Sequence, residues 1–389
     1  MQPAAETGLS FAARVAAFYA AIFVTVGVQL PFFPLWLKAE GFDARAIGVA
    51  LAIPQVTRLM VTPWVMVVAD RRDALRGLLV ISGMATLAAS LVMGLASGTA
   101  AILLAFFAVS VAWTPIMPLT ETYALKGLRA RGRAYGPVRL WGSAAFVVGS
   151  FGAGLIADWI PARHLIWLFV ANFGVVALTS LVLQPMHVEP RGDPAQGPRK
   201  SLLRDPAIAA VLAAAGLIQG SHALFYGFST LAWTTAGLDG TTVAALWALG
   251  VIAEIVLFAL SARLPPFFTP GVLLMIGAGG AIVRWAVMAF DPPFAALPFL
   301  QCLHALSFGA THLGTLGFLT RHAPPGQAAS VQGALSIVLG LAMAASTSLS
   351  GLLFAAYGSL SYAAMALAAL AGGACGLVAH RLGRDAPRV

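Results

Sequence analysis

The chain has 389 residues, of which 60% are hydrophobic and 10% charged, and its net charge is +9. Soluble domains carry about 25% charged residues, so this composition, with a mean hydropathy of +0.88, excludes a water-facing globular protein. The positive charge is not a nucleic-acid footprint either, because Lys and Arg are scattered through short loops beside apolar runs.

Crossing about 30 Å of hydrocarbon takes about 20 apolar residues per helix, since backbone groups must pair internally there. Twelve such segments follow in order: 11–37, 46–68, 77–97, 100–124, 135–160, 164–184, 206–233, 241–262, 270–290, 293–320, 327–357 and 360–380. Gly, Pro and charge separate them, as in Glu40-Gly41-Phe42-Asp43, Asp70-Arg71-Arg72-Asp73 and Asp291-Pro292-Pro293. The first segment is not a cleavable signal: Glu6 replaces a basic leader and the apolar run is too long. Residues 185–205 carry four Pro and four basic residues and read as a cytoplasmic linker. The fold expected is an all-α membrane protein of twelve transmembrane helices in two pseudo-symmetric six-helix bundles, 1–184 and 206–389.

The basic residues orient it. With both termini cytoplasmic, seventeen of the 23 Lys and Arg lie on that side. Three (Lys38, Arg45, Arg163) lie opposite, and three (Arg58, Arg139, Arg284) lie within segments. An internal repeat supports two related halves. Trp36 is followed by Gly41-Phe42-Asp43, and Trp233 by Gly237-Leu238-Asp239, about half the chain later.

Ionisable groups inside such segments cost several kcal/mol and usually face a cavity or a partner. The second segment carries Gln55 and Arg58, the fourth Glu121, the fifth Arg139, the eighth Glu254 and the ninth Arg284. The seventh carries Gln219 and His222; the tenth carries Gln301, His304 and His312. At 100° per residue, Gln219, His222, Tyr226, Ser229 and Trp233 span about 80° of one helix, and Gln301, His304, Phe308, Thr311, His312 and Thr315 about 100° of another. Arg139, Ser143, Phe146 and Ser150 share a third face, beside Gly142 and Gly149. Polar stripes of this kind read as the lining of a wet cavity. The plainer reading of Glu121 with Arg139, and of Glu254 with Arg284, is mutual neutralisation at a helix contact. The plainer reading of Asp158 is an interface residue.

Soluble chemistry is not indicated. The sequence has no Walker-type Gly-Lys-Ser/Thr loop, no His-Glu-x-x-His and no Gly-x-Ser-x-Gly. Cys302 and Cys375 make neither a disulfide framework nor a metal spacing. No cofactor or metal is expected, and no obligate protein partner. All three Lys lie in loops, against a retinal-type pigment.

The twelve segments, the basic linker and Ala69-Asp70-Arg71-Arg72 after the second helix resemble the major facilitator superfamily. Asp70, Arg71 and Arg72 match its gating loop, without the flanking glycines; the corresponding Arg263-Leu264-Pro265-Pro266 is degraded. Leu30 to Leu37, Tyr135-Gly136-Pro137-Val138-Arg139-Leu140-Trp141-Gly142-Ser143 and Gln219 to Ser229 resemble the phenylpropionate transporter family. That family is related to lactose permease and nucleoside proton symporters. The resemblance implies proton-coupled symport of a small organic solute by alternating access. Arg139, Glu121, His222, Tyr226, Trp233, Trp113 and Phe308 are its expected substrate contacts. Glu254, Arg284 and His304 or His312 stand on the helices of the permease's coupling network, but the permease's tenth-helix Glu has no counterpart here. Glu254 is therefore the expected proton carrier. Three Arg and two acids favour an anionic, aromatic solute. Sugar or nucleoside symport is the alternative. Efflux is disfavoured because the fifth segment lacks the Gly-Pro-x-x-Gly-Gly pattern of antiporters. The expected partners are the solute, protons and the lipid bilayer of a bacterial-type inner membrane, with no nucleic acid.

Overall fold

The computed structural model describes residues 9–72, 74–186, 204–323 and 327–384. Among these residues all regular structure is helical, as hydrocarbon demands of a chain that cannot share its backbone hydrogen bonds with water. The helices are α1 (Phe11–Ala39), α2 (Ala44–Arg72), α3 (Leu75–Leu95), α4 (Thr99–Trp113), α5 (Ile116–Ala130), α6 (Tyr135–Trp159), α7 (Leu165–Leu181) and α8 (Pro206–Gly220). They continue with α9 (Ala223–Thr235), α10 (Gly240–Leu260), α11 (Pro270–Met288), α12 (Leu297–Cys302), α13 (Thr311–His322), α14 (Ala328–Tyr357) and α15 (Tyr362–Arg384).

Three crossings are interrupted. α4 and α5 meet at Thr114-Pro115, where proline removes a donor. α8 and α9 meet at Ser221-His222, and a π turn, Ala305–Ala310, stands between α12 and α13. Eleven stretches are long and apolar enough to cross a membrane. The last, 330–382, holds both α14 and α15, separated by a 3-10 turn that begins at Gly358 with φ +54°. Counted as two passes, it brings the number to the twelve expected. The outward apolar residues are those of a lipid-facing surface: Trp64, Leu95, Trp159, Phe290 and Phe299 are each at least 75% exposed.

The chain divides into two compact units. One comprises Met1–Phe42, Thr57–Gly192 and Asp239–Ala244; the other comprises Asp43–Val56, Asp193–Leu238 and Ala245–Val389. The first is built around Phe18, Tyr19, Leu79, Leu119 and Tyr123, the second around Ile208, Val211, Leu274 and Phe318. In the first unit α1 and α6 approach until a Cβ on Gly149 would stand 2.6 Å from the Val24 carbonyl oxygen. The Ser150 hydroxyl donates to the Gly27 carbonyl at 2.9 Å across the same contact. Small residues allow such approach where dispersion, not hydrophobicity, must hold helices together. Asp158 does more than sit at an interface. Its carboxylate accepts from the Gly240 and Thr241 N–H groups and from the Thr241 hydroxyl, capping α10.

The repeat seen in the sequence is a repeated turn. Gly41 and Gly237 sit at φ +87° and +93°, where L side chains are strained. Asp43 then accepts from Ala46 N–H and Asp239 from Thr242 N–H, each at 2.7 Å, capping α2 and α10. The Thr242 hydroxyl and N–H hold the Asp239 carboxyl below its usual range. Some basic residues of the cytoplasmic count also close a helix. Arg14 donates to Val182 O and Arg76 to Leu181 O and Leu183 O, at the carboxyl end of α7. Asp205 caps α8. The rest of the expected linker, 187–203, lies outside the described residues, as does Asp73.

Replacing Gly149 with Leu should lower the thermal midpoint of the purified protein, because overpacking a close contact costs about 1–3 kcal/mol. Gly152→Leu is the control: its Cβ meets nothing within 4 Å. Equal midpoints for the two variants in a fluorescence melt would refute the α1–α6 contact.

Candidate functional site

Two helices of the second unit are irregular, and their irregularities meet. At the α8–α9 break the Ser221 hydroxyl donates to Ile218 O at 2.6 Å and accepts from Trp285 Nε1 at 2.8 Å. His222, wholly buried, bonds Ile218 O through Nδ1 at 3.1 Å, so Nδ1 carries the proton. Its Nε2 must then accept, and the partner is the Ser307 hydroxyl of the π turn at 3.0 Å. Backbone left unpaired by one extra residue in a π turn needs outside partners; Phe308 O receives Gln219 Nε2 at 3.5 Å.

Four polar side chains run on from this meeting point. Arg284 on α11, 1% exposed, donates through one terminal nitrogen to Gln301 Oε1 at 2.7 Å and through the other to His304 Nδ1 at 3.1 Å. A guanidinium only donates, so His304 Nδ1 is an acceptor and Nε2 bears the ring proton. That Nε2 lies 3.5 Å from a Glu254 carboxylate oxygen on α10. The order is Gln301–Arg284–His304–Glu254, with His304 a neutral spacer between cation and acid.

Rings enclose these groups. The Arg284 guanidinium lies over Phe225 at 4.4 Å and Trp285 at 4.6 Å. His222 stands edge-on to Trp285 and His304, with centroids at 5.1 and 5.5 Å. Phe308 stacks between His304 at 5.2 Å and His312 at 6.2 Å. Tyr226 stacks on Trp247 at 5.9 Å.

A second polar group lies in the first unit. Arg139 Nε on α6 is 3.5 Å from Glu121 Oε1 on α5, both side chains about one-third exposed. Tyr135 donates its hydroxyl to Glu121 and lies 3.4 Å from the Tyr19 hydroxyl. The guanidinium rests over Phe23 at 4.2 Å, and Gly142 leaves the space: a Cβ there would be 2.8 Å from Phe23 and 2.9 Å from Arg139.

The structure thus brings His222, Tyr226, Phe308, Glu254, Arg284, His304 and His312 into one cluster, and Glu121 with Arg139 into another. Trp113 stands elsewhere, edge-on to Phe173 at 5.1 Å against the first unit's core. Trp233 contacts Phe225 at 5.7 Å and lines a cavity of about 270 Å³ with Met288, Asp291 and Tyr362, at the carboxyl end of α9. Asp70 pairs with Lys126 at 3.6 Å, and Arg71, Arg72 and Arg58 are exposed. Tyr135, Tyr19, Phe23, Ser307, Phe225, Trp247 and Trp285 were not among the expected contacts. Tyr135 had a signal, one helical turn before Arg139; Ser307 had none, because a π turn is invisible to a regular wheel. Among the described residues no group of His, Cys, Asp and Glu is placed to hold a metal.

Comparison with known proteins agrees with this architecture. The family model described as "MFS_1 like family" matches residues 12–364. A relative from Escherichia coli (strain K12), "Probable 3-phenylpropionic acid transporter", is 31% identical over 364 residues, covering 90% of this chain and 93% of its own. A "Maltose permease" of Geobacillus stearothermophilus is 26% identical, covering 79% and 78%. The solved structure of nucleoside transporter NupG superposes with a TM-score of 0.81 at 15% identity, covering 96% of this chain and 99% of that one; it shows the fold.

Ser307→Ala leaves the buried His222 Nε2 without its donor and should destabilise the protein by about 1 kcal/mol. Ser348→Ala removes only an exposed bond to its own helix, to Ala344 O, and should be neutral. Thermal melts of the two variants decide it, and equal melts would remove Ser307 from the network.

Proposed function

The chain belongs to the MFS_1-like family of transporters, and from that membership we propose proton-coupled symport of a small organic acid, an aromatic carboxylate such as a phenylpropionate. The observation that carries the proposal is the buried order Gln301–Arg284–His304–Glu254. A cation and an acid kept inside a membrane-spanning bundle are expensive, and such residues mark solute and proton paths. The solute class is supported by the rings around the cluster and by the likeness to the "Probable 3-phenylpropionic acid transporter" of Escherichia coli.

Alternating access of the two six-helix halves, 1–184 and 206–389, carries the solute across. Glu254 is the proton carrier, neutral when loaded and ionised after release. Arg139 and Glu121, with Tyr135 beside them, supply the first half's contribution to recognition, and His222, Tyr226 and Phe308 contribute contacts from the second. Trp233 packs on Phe225 and Trp113 on Phe173, so neither touches the polar side chains of the two clusters directly. His312, stacked on Phe308, borders the proton path. Asp70, Arg71 and Arg72 act as the gating loop, with Lys126 as the partner of Asp70. Both termini face the cytoplasm of a bacterial-type inner membrane, as the distribution of Lys and Arg supports. Sugar or nucleoside symport is the second reading; the "Maltose permease" relative favours it.

Purified protein in liposomes with an internal pH dye tests the proposal. Adding 3-phenylpropionate should drive proton entry, and β-galactosides and nucleosides should not. Proton entry with a galactoside or nucleoside instead would overturn the solute class, and silence with all three would overturn symport. Glu254→Gln should retain exchange down a gradient and lose accumulation; normal accumulation would remove Glu254 as the carrier. Arg139→Lys gives up the planar fork and the face-on contact with Phe23, and should raise the half-saturating solute concentration about tenfold. An unchanged value would make Arg139 structural.

A further inference from the structure

Arg284 is a buried cation whose hydrogen-bond and ring partners are all neutral. A guanidinium does not give up its proton in a protein, and removing it from water costs several kcal/mol unless an anion returns the loss. Its two terminal nitrogens reach Gln301 Oε1 and His304 Nδ1, and its faces reach Phe225 and Trp285. The remaining donor, Nε–H, is buried with no partner. So is the amide Nε2 of Gln301, whose oxygen already serves Arg284. Two buried donors on one hydrogen-bonded pair are therefore unused, at a cost of about 1–3 kcal/mol each while they stay so.

The geometry points to a carboxylate. Nε–H and one terminal N–H lie on the same edge of a guanidinium, spaced for the two oxygens of a carboxylate. We propose that Arg284, presented by Gln301, is the group that binds the carboxylate of the solute, with Gln301 Nε2 as a third donor and Phe225, Trp285 and Phe308 beside it as ring contacts. The assignment rests on the transport reading above and gives Arg284 a recognition role in addition to its place beside His304. Arg139 is less suited to the task, because Glu121 already stands 3.5 Å from its Nε and the pair is one-third exposed. His222 cannot supply the charge in this state, since Nδ1 donates to Ile218 O and Nε2 accepts from Ser307.

Binding and proton uptake are then linked by charge. With Glu254 ionised, Arg284 is balanced through the His304 ring. With Glu254 protonated, the cluster keeps one positive charge, which one solute carboxylate neutralises. The proton and the anion favour each other's binding by the same factor, as linkage requires.

Equilibrium binding to the purified full-length protein, read by tryptophan fluorescence with no proton gradient, tests the assignment. The probes are 3-phenylpropionate and its neutral isostere 3-phenylpropanamide. Wild type should bind the acid at least about tenfold tighter than the amide. Arg284→Lys should weaken acid binding about tenfold and leave the amide within about twofold. Gln301→Glu places an internal carboxylate on Arg284 and should abolish acid binding while the thermal midpoint holds or rises, which a merely structural Arg284 does not predict. Equal affinity of wild type for acid and amide overturns the assignment. Undiminished acid binding in both variants does so too, as does binding of neither probe by wild type. Because the assay needs no gradient, Arg284-dependent binding without proton entry sinks symport and keeps this assignment; proton entry with Arg284-independent binding does the reverse.

Discussion

Hydrocarbon offers no hydrogen bonds, and that absence governs where this chain can depart from a regular helix. A broken turn within a membrane span must satisfy its freed groups inside the protein. The α8–α9 break does so with Ser221 and His222, both bonded to Ile218 O, and the 305–310 π turn with Gln219, which donates to Phe308 O; Ser307 joins the two through His222 Nε2. The polar cluster of the second unit lies where these repairs are made. Breaking the helix and installing polar side chains go together here: the unpaired donors, Arg284 Nε–H and Gln301 Nε2, belong to the cluster beside the mended turns.

The same constraint separates two kinds of charge. Arg139 and Glu121 keep partial contact with the outside of their unit, lie 3.5 Å apart and share Tyr135. Arg284 is fully enclosed and meets its acid only through an imidazole. Direct pairing is the cheaper arrangement for a buried cation. The indirect arrangement of Arg284 gives up that economy and leaves its Nε–H without a hydrogen-bond partner. The comparison also explains why the plainer reading, mutual neutralisation, fits the first pair better than the second.

Much of this was legible in the sequence. The twelve apolar segments correspond to the observed crossings because their signal is simply length and hydropathy. The Trp–Gly–Asp repeat emerged as two turns of nearly the same φ and the same cap, since glycine tolerates φ near +90° and a short acidic side chain reaches back to the next helix's N–H. His304 and Phe308, one turn apart on the same helix face, stack at 5.2 Å. What the wheel could not supply was the partner across helices. Ser307 reaches His222 from another helix, and Phe225 and Trp285 meet the Arg284 guanidinium across helices or along one. Trp113, an expected substrate contact, packs on Phe173 instead. Contact between segments distant in sequence has no periodic signature.

The missing carboxylate in the tenth span sharpens the chemistry of what remains. Glu254 is the one acid within any span from 206 onward, so a proton held by this cluster rests on Glu254 or on an imidazole. Protonating His304 would turn Nδ1 into a donor facing the Arg284 donors, which breaks a 3.1 Å bond and sets like charges together. Protonating His222 would oblige Ser307 to reverse its hydroxyl and would add a cation 5.5 Å from the His304 ring. Protonating Glu254 disturbs neither bond to Arg284, although it loosens the 3.5 Å contact with His304. Hydrogen-bond direction alone therefore ranks Glu254 first among the cluster's proton acceptors, and it does so through Arg284, whose inability to accept fixes the His304 tautomer from which the ranking follows.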